Sequence, residues 1–245
     1  MHIKTDGLVV KEQNVSESDR LITVLTSQYG LIRAFVSGGK TIKNKNLAGT
    51  QLLAYSDFVF YRGAEAYNVN TATEKEVFFD LRSDIDNLSI AFYLAELFCE
   101  HAPEGAECDE LLRLLLNSLF LLSKKKKPGA LVKSVAELRA LAISGYAPNL
   151  IACEECGAFE SNPMYFDLKN GTLHCRDCAK DGTALSISTV TAMRHIVYSE
   201  PKKVFDFSLT DDAQAELSAV TENYALLHTA RKYKTLDFLK SLQGI

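Results

Sequence analysis

Residues 153–178 read CEECGAFESNPMYFDLKNGTLHCRDC and contain two Cys-x-x-Cys pairs separated by 18 residues. Each pair can deliver two thiolates to one side of a metal ion, and tetrahedral Zn²⁺ binds four such sulfurs at about 2.3 Å. The spacing is typical of a zinc ribbon. Between the pairs, MYFDL and TLHC predict two strands joined by a turn at Asn170-Gly171. The stretch therefore predicts a structural Zn²⁺ site with four ligands: Cys153, Cys156, Cys175 and Cys178.

Other uses of these thiols fit the pattern less well. A redox couple needs only one Cys-x-x-Cys pair, usually within a βαβ unit. A catalytic zinc keeps one coordination position open, whereas four thiolates close it. His174 lies beside Cys175 and remains an alternative fourth ligand. Gly157 follows the first pair and fits a tight turn with positive φ. Cys99 and Cys108 lie on or near apolar helix faces and are expected to be ordinary packing residues.

The composition is that of a globular protein. The chain has 245 residues, 47% of them hydrophobic and 24% charged, with a net charge of −4. The N-terminus MHIKTDGLVVKEQ lacks the apolar core of a signal peptide. The longest apolar stretch, LLRLLLNSLFLL, is much shorter than the roughly 20 residues that cross a bilayer. We therefore expect no membrane association and a cytoplasmic location, where thiols stay reduced.

The first part of the chain reads as short β-strands. Residues 7–15, 20–28, 31–39, 52–62 and 66–74 are rich in β-branched and aromatic side chains and are separated by glycines. Five such strands in about 75 residues predict a small closed or nearly closed barrel.

From about residue 80 the apolar residues recur at helical spacing. The pattern predicts helices over 83–101, 110–123, 130–144, 186–199, 211–232 and 235–242. Residues 110–123 are apolar nearly all round, which favours a central, buried helix. Pro128 is expected to open the third helix and Gly145 to end it, and Thr210 is a good N-cap for the fifth.

The predicted class is thus α+β, with a small N-terminal β-barrel followed by an α-helical domain that carries an inserted four-cysteine, zinc-ribbon-like module. We place the barrel at residues 1–78, the helical domain at 79–245 and the module at 150–182.

A basic cluster lies on the predicted barrel. Residues 31–63 have a net charge of +4, because they contain five basic residues and only one acidic residue, Asp57. A local basic patch on an acidic chain indicates contact with an anion such as a phosphate backbone. A solvated loop with no ligand is the alternative, and a flexible Gly38-Gly39 hinge is expected in either case. The candidate DNA-binding residues are Arg33, Lys40, Lys43, Lys45 and Arg62.

Residues 34–41, AFVSGGKT, also resemble a nucleotide-binding phosphate loop. That loop needs a helix beginning at the Lys-Thr pair. The following IKNKNLAGT has no apolar stripe, so nucleotide binding is disfavoured. The five histidines form no hydrolase or protease motif, and we assign no catalytic residues.

Four segments together resemble the RecO family of bacterial DNA repair and recombination mediators. They are the opening DGLVVKEQNVSESDRLITVLTSQYGLIRAFVSGGKT, the strand pair YRGAEAYNVNTATEKEVFFDLR, the cysteine segment LIACEECGAF…NGTLHCRDC, and the closing LLHTARKYKTLDFLKSL. Their order along nearly the whole chain carries the resemblance, and only the cysteine set is specific alone.

The resemblance implies an N-terminal OB-fold and a non-enzymatic mediator. Such a protein would bind single-stranded and double-stranded DNA, anneal complementary strands and act with RecR. The resemblance also implies recruitment by the acidic C-terminal tail of single-stranded-DNA-binding protein, RecA loading and association with the nucleoid. A zinc-containing interaction scaffold that does not contact DNA is the alternative function.

Two further sets of residues are candidates for contacts. Four aromatic residues could stack bases or simply fill the core: Tyr29, Phe35, Tyr55 and Tyr61. A second basic set could dock an acidic partner, or could face solvent near helix ends, where the macrodipole favours cations. This set comprises Lys124, Lys125, Lys126, Lys127, Arg231, Lys232 and Lys234.

Overall fold

The computed structural model describes residues 2–41, 43–63 and 66–244, with only the backbone of Gln243. Ile42, within the predicted basic loop, and Ala64-Glu65, within the YRGAEAY segment, lie outside the described residues. The chain forms two compact units. The first comprises Met1–Lys124 and Tyr233–Ile245, and the second comprises Lys125–Lys232. The second unit is therefore an insertion into the sequence of the first.

Five strands form the N-terminal sheet of the first unit. They are β1 (His2–Asn14), β2 (Arg20–Thr26), β3 (Gly30–Val36), β4 (Tyr55–Arg62) and β5 (Tyr67–Glu76). The strand order is β1-β2-β3-β5-β4, and β4 pairs with β1 to close a barrel. All five strands begin or end within a few residues of the predicted positions, except that β1 starts at His2 instead of Gly7.

The inner face of the barrel is apolar because every second side chain of each strand points inward. Its core includes Val9, Ile22, Val24 and the stacked rings of Phe58 and Phe60, whose centroids are 5.0 Å apart. All neighbouring strands are antiparallel except β3 and β5. These two strands pair only through Ala34–Tyr67 and Phe35–Asn68. This short parallel seam is the weakest join in the barrel.

Three helices complete the first unit: α1 (Ile85–His101), α2 (Asp109–Ser123) and α6 (Lys234–Gln243). The Asp84 side chain caps α1 by accepting a hydrogen bond from the Asn87 N–H. Helix α2 is not buried all round, as its apolar sequence had suggested. Arg113, Asn117 and Phe120 are exposed, because α2 lies at the edge of the unit with one face in solvent.

The second unit contains α3 (Gly129–Leu141), α4 (Ile187–Tyr198) and α5 (Asp211–Thr229). Helix α3 is the buried one, with ten of its 13 residues buried. It follows Pro128, and Gly145 lies just beyond its end at φ 94°, as expected. Thr210 caps α5 by accepting from the Ala213 N–H, which confirms the predicted N-cap.

A small sheet of four strands lies between α3 and α4 in the sequence. It is made of β6 (Asn149–Cys153), β7 (Met164–Asp167), β8 (Thr172–His174) and β9 (Thr183–Leu185), in the order β6-β8-β7-β9. β7 and β8 form the predicted hairpin, and the Gly171 N–H donates to the Asp167 carbonyl across its turn.

The predicted α+β class, with five N-terminal strands and six helices, is confirmed. The compact units divide the chain at other points than residue 78, because α1, α2 and α6 belong to the same unit as the barrel. The predicted boundaries at 1–78, 79–245 and 150–182 stay a prediction about functional parts. Among the described residues, no helix is both long and apolar enough to span a lipid bilayer.

Candidate metal centre and nucleic-acid interface

The four predicted cysteine ligands lie together. The Sγ atoms of Cys153, Cys156, Cys175 and Cys178 are all within 4.8 Å of one another. The Cys156 and Cys175 sulfurs are 3.6 Å apart, which is far longer than the disulfide bond length of about 2.05 Å. Four sulfurs at about 2.3 Å from one tetrahedral ion would be about 3.8 Å apart. The cluster therefore has the size of a four-thiolate metal site.

Backbone hydrogen bonds shape the two turns that carry the thiols. The Gly157 N–H donates to the Cys153 carbonyl at 2.9 Å, and the Cys178 N–H donates to the Cys175 carbonyl at 3.1 Å. Gly157 has φ 74°, a left-handed conformation that glycine adopts without strain. The conformation predicted for this glycine is confirmed. Each Cys-x-x-Cys pair is thus fixed as a tight turn by its own backbone.

The pKa values of two of these thiols are shifted in opposite directions. Burial raises the pKa of the Cys153 thiol, but backbone N–H groups, that of Cys156 first, outweigh burial and lower it to about 6. The pKa of Cys178 is raised, first because its thiol hydrogen-bonds to the Cys175 sulfur. Four adjacent thiols cannot all ionise alone, because each thiolate opposes the next. A divalent ion would remove this conflict.

The remaining candidates for ligands lie outside the cluster. Burial raises the pKa of Cys108 to about 11 and also raises that of Cys99, so both are weak nucleophiles. All six cysteines lie in the described part of the chain, and none is in a disulfide. The Nε2 of His174 is 3.2 Å from the Thr172 hydroxyl, and His174 is not one of the four clustered groups.

Arg194 on α4 fixes the cysteine module to the rest of its unit. Its Nε donates to the Leu150 carbonyl at 2.6 Å, and its Nη2 donates to the carbonyls of Ile151 and Phe159 at 3.1 and 2.6 Å. The guanidinium carbon also lies 4.0 Å from the centroid of the Phe159 ring. One side chain therefore holds both β6 and the segment after the first cysteine pair.

The surface of the module is acidic. Residues 150–182 contain six acids and three bases, which gives a net charge of −3 before the thiolates are counted. Four thiolates around one divalent ion would add −2. Ile151 and Phe159 are 62% and 57% exposed on the same module. This combination of acidic and apolar surface is unfavourable for contact with a phosphate backbone.

The basic loop, defined as residues 37–47 apart from Ile42, is a series of turns between β3 and the short helical turn Ala48–Thr50. No helix begins at Lys40 in the described residues, so the helix that a nucleotide-binding phosphate loop requires is missing there. The Gly38 N–H donates to the Asp19 carboxylate at 2.8 Å, and the Lys40 N–H donates to the Ser18 carbonyl at 3.1 Å. These bonds attach the basic loop to the β1–β2 connection.

Two asparagines hold the other end of the basic loop. The buried Asn46 accepts from the Ala72 N–H at 3.0 Å and donates to the Asn70 carbonyl at 3.3 Å, which joins the loop to β5. Asn44 donates to the Ser37 carbonyl at 2.8 Å. The loop is therefore held together by a hydrogen bond of its own and is attached to the barrel through β5.

Beneath the loop lies the buried Arg20, which donates to Glu12 at 3.0 Å and to the Thr50 hydroxyl at 2.9 Å. A Cβ atom on Gly39 would lie 3.0 Å from Val36 and 3.1 Å from the Arg20 Nε. The Gly38 amide is hydrogen-bonded and Gly39 is closely packed. The flexible hinge expected at Gly38-Gly39 stays a prediction.

The five predicted DNA-binding residues divide into two groups. Lys40, Lys43 and Lys45 lie on the basic loop, and all three are exposed. The Lys40 ammonium donates to the Ser16 carbonyl at 2.7 Å. Lys43 and Lys45 make no ion pair or side-chain hydrogen bond within the described residues, so their charges are available to a ligand.

Arg33 and Arg62 line a cleft of about 480 Å³ beside the short parallel seam. The other lining side chains are mainly apolar or aromatic, and the sequence alone had not singled out Tyr67 or Glu104. The described residues around the cleft are Leu21, Leu31, Arg33, Phe35, Arg62, Gly63, Ala66, Tyr67 and Glu104. The Arg62 guanidinium carbon is 5.8 Å from the centroid of the Tyr67 ring.

The four aromatic candidates for base stacking have different environments. Phe35 lines the cleft and is half-buried. Tyr29 and Tyr61 are 36% and 48% exposed outside it, and Tyr61 lies against the His2 ring. Tyr55 donates to Asp6 at 2.6 Å, and the Lys75 ammonium covers its ring. None of the four is a fully buried core residue.

The second basic set is distributed over both units. Lys124 and Lys234 belong to the first unit and the other five residues to the second. Lys124 pairs with Asp80 at 2.7 Å, and Lys127 donates to the Phe207 carbonyl at 3.1 Å. At least two of the lysines in the 124–127 run thus already have intramolecular partners, and docking of an acidic partner stays a prediction.

These features define a class: β-barrel proteins with a basic loop on the barrel and a separate module whose four cysteines could hold a metal ion. Family models identify the class further. The model for the recombination protein O N terminal matches residues 1–78, and that for the recombination protein O C terminal matches residues 82–237. The chain belongs to the RecO family of DNA repair proteins.

Curated relatives match over their whole length. The chain is 36% identical to DNA repair protein RecO of Acetivibrio thermocellus over 247 residues, which covers 100% of this chain and 98% of the relative. It is 31% identical to the protein of the same name from Alkaliphilus metalliredigens, covering 99% of this chain and 100% of the relative. Identity to that of Caldicellulosiruptor bescii is 30%, with 98% and 99% covered.

Proposed function

We propose that this chain is a non-enzymatic DNA repair and recombination mediator whose barrel binds single-stranded and double-stranded DNA. The observation that carries the proposal is the basic loop, which is hydrogen-bonded to the barrel and has two lysines unpaired among the described residues, on a chain of net charge −4. The strand order and the parallel β3–β5 pair support assignment of the barrel as an OB-fold. Membership in a family of DNA repair proteins supports the same function.

The basic loop would bind the phosphate backbone. Lys40, Lys43 and Lys45 would contact phosphates at the loop, and Arg33 and Arg62 would contact them at the cleft. Because phosphates carry no sequence information, binding would be nearly independent of sequence. Because hydrogen bonds to the barrel restrict the loop, less conformational entropy would be lost on binding. Neutralising phosphates on two strands would also reduce their mutual repulsion, which is what annealing requires.

The module would hold one structural Zn²⁺ through its four thiolates. This ion would close the cluster and supply folding free energy to a segment with only short strands. It would leave no open coordination position, so it would have no part in a reaction. We assign no catalytic residue.

The family resemblance also supports proposals about partners. RecR would act with this chain, and RecA would be loaded onto the DNA that they prepare together. The acidic tail of single-stranded-DNA-binding protein would recruit it, with the second basic set as the candidate docking residues. Because Lys124 and Lys127 already have intramolecular partners, Lys232 and Lys234 are the first residues of that set to test.

The test is a salt titration of DNA binding. The full chain and a Lys40→Ala, Lys43→Ala, Lys45→Ala variant are titrated with labelled single strands and duplex at several salt concentrations. The expected result is weaker binding and a salt slope flattened by about two units on single strands, at roughly 0.7 for each phosphate that is no longer neutralised. A variant with Lys169, Lys180 and Lys202 changed to Ala has the same change in charge in the second unit and should keep the slope.

An interaction scaffold that does not touch DNA is the second candidate function. The acidic module with exposed Ile151 and Phe159 favours it. Under this function neither triple variant would change binding, because the wild-type chain itself would show no salt-dependent affinity for DNA.

A further inference from the structure

The cleft beside the β3–β5 seam combines two arginines with apolar and aromatic walls, a composition that a site for phosphates alone lacks. Its walls are formed by Leu21, Leu31, Phe35 and Tyr67, and its cations are Arg33 and Arg62. We propose that this cleft is a subsite for one unpaired nucleobase, which makes the barrel distinguish single strands from duplex. The inference rests on the proposed function, since it assumes that DNA reaches the barrel.

Phe35 presents its ring toward the cleft because of the strand's alternation. On β3, Ile32, Ala34 and Val36 are buried in the barrel core, so Leu31, Arg33 and Phe35 point to the outer face. Leu21 is directly opposite Phe35 on β2. The outer face therefore has an aromatic ring beside an aliphatic side chain, and a base could stack on this surface.

Tyr67 lies on the other side of the seam. It pairs with Ala34 on β3, packs partly against the barrel core, and its ring is edge-on to Phe60 at 6.3 Å. Arg62 lies over this ring, 5.8 Å from the centroid. An arginine above a tyrosine gives a second planar surface, because guanidinium groups as well as aromatic rings stack on bases.

The charges of the cleft favour a base over a phosphate as its occupant. Glu104 lines the cleft and would repel a phosphate, but its carboxylate does not repel a neutral base. Arg33 is exposed and has no ion pair within the described residues, so it can bind the phosphate next to that base. A base in a duplex is stacked and paired, and it would have to be flipped out at a cost of a few kcal/mol to enter. The cleft should thus act on single strands alone.

The experiment compares normal and abasic DNA. The full chain is titrated with a labelled single-stranded oligonucleotide, with an abasic oligonucleotide of the same length, and with duplex. The test variant is Phe35→Leu, which keeps an apolar side chain and removes the ring. The matched control is Phe238→Leu, because Phe238 is a half-exposed phenylalanine on α6 that does not line the cleft.

Phe35→Leu should weaken binding of the normal single strand about tenfold, within the range for removal of one base stack. Its salt slope should stay that of wild type, because every cation that neutralises a phosphate remains. Duplex affinity should be unchanged, and the abasic strand should bind wild type and Phe35→Leu equally. Phe35→Tyr should keep single-strand affinity within about twofold, and Phe238→Leu should match wild type.

Three results would overturn the inference. Wild type could bind normal and abasic strands with equal affinity, Phe35→Leu could weaken duplex and single-strand binding alike, or Phe35→Tyr could lose as much affinity as Phe35→Leu. In each case, the salt-dependent effect of the loop lysines would still support DNA binding by the barrel. Absence of any salt-dependent binding by wild type would instead refute the proposed function itself, and the base subsite with it.

Discussion

The basic loop and the cysteine module are held in one conformation by different kinds of interaction. The basic loop is irregular and the module has only short strands, so neither has a large apolar core of its own. The module has four thiol groups within 4.8 Å of one another, which only a cation can hold together in ionised form. The basic loop uses neutral amides, chiefly Asn44 and Asn46, and one buried arginine beneath it.

This difference determines which change would destabilise each segment. If one ion binds all four thiols, folding of the module should follow the metal. The basic loop depends on several separate hydrogen bonds, and the loss of any one removes part of its stability.

The largest effect should come from the metal cluster. Cys153→Ser should abolish stoichiometric metal and unfold the module, because structural zinc supplies about 10 to 16 kcal/mol of apparent binding free energy in zinc-finger peptides. Elemental analysis and proteolysis of residues 150–182 measure this. Cys99→Ser is the control, since Cys99 lies outside the cluster. Full zinc content in Cys153→Ser would contradict the four-thiolate site.

A smaller effect is expected from the arginine that fixes the module. Arg194→Lys should lower the free energy of unfolding of the second unit by about 2 to 3 kcal/mol, because a lysine cannot reach all three carbonyls as the guanidinium does. Zinc content should be unchanged. Chemical denaturation with elemental analysis separates the two quantities, and a loss of zinc would show that the clamp and the metal are not independent.

The corresponding change in the basic loop is Asn46→Ala. It leaves the buried Ala72 N–H without its acceptor and should cost about 1 to 2 kcal/mol of barrel stability. Single-strand affinity should fall while the salt slope stays, because all loop lysines remain. Asn44→Ala, a more exposed loop residue, should have a smaller effect. A flattened slope in Asn46→Ala would show instead that lysine–phosphate contacts are lost once this anchor is removed.

The smallest effect concerns pH. The pKa of Asp19 is lowered, first by the hydrogen bond from the Gly38 N–H and then by the hydroxyls of Ser16 and Ser18. A lowered pKa in the folded state means that this hydrogen bond stabilises fully above the ordinary pKa of about 3.9 and disappears as pH falls through the lowered value. The Gly38 amide signal in NMR should therefore titrate below pH 3.9, and Asp19→Ala should abolish that titration. A midpoint at or above 3.9 would exclude the hydrogen bond.

Local patterns in the sequence were sufficient for the elements and for the metal cluster. Strand alternation, helical spacing and the caps at Pro128 and Thr210 depend on residues within a few positions of each other. The conformation of the cysteine pairs is also determined locally, by Gly157 and by backbone hydrogen bonds within each turn. These features could be read without knowing what the chain contacts elsewhere.

The bonds that anchor the basic loop and the cleft beside the β3–β5 seam could not be predicted, because they depend on contacts between distant residues. Asn46 reaches Ala72, 26 positions further on, and Arg20 reaches Thr50, 30 positions further on. Tyr67 meets β3 only through a parallel pairing that no local pattern indicates. The sequence of the loop likewise gives no indication that the Gly38 amide bonds to Asp19.

The insertion of the second unit into the first has a consequence for synthesis on the ribosome. Helix α6 packs on α1, where the Tyr233 and Tyr93 rings are 5.7 Å apart and Thr235 hydrogen-bonds to Glu96. At about 5 to 20 residues per second, roughly 5 to 20 seconds pass between translation of residue 124 and that of residue 233. During that interval α1 is made but its partner helix is not. The inserted unit, which contains the cysteine module, can therefore fold completely while the unit with which translation began still lacks its last helix.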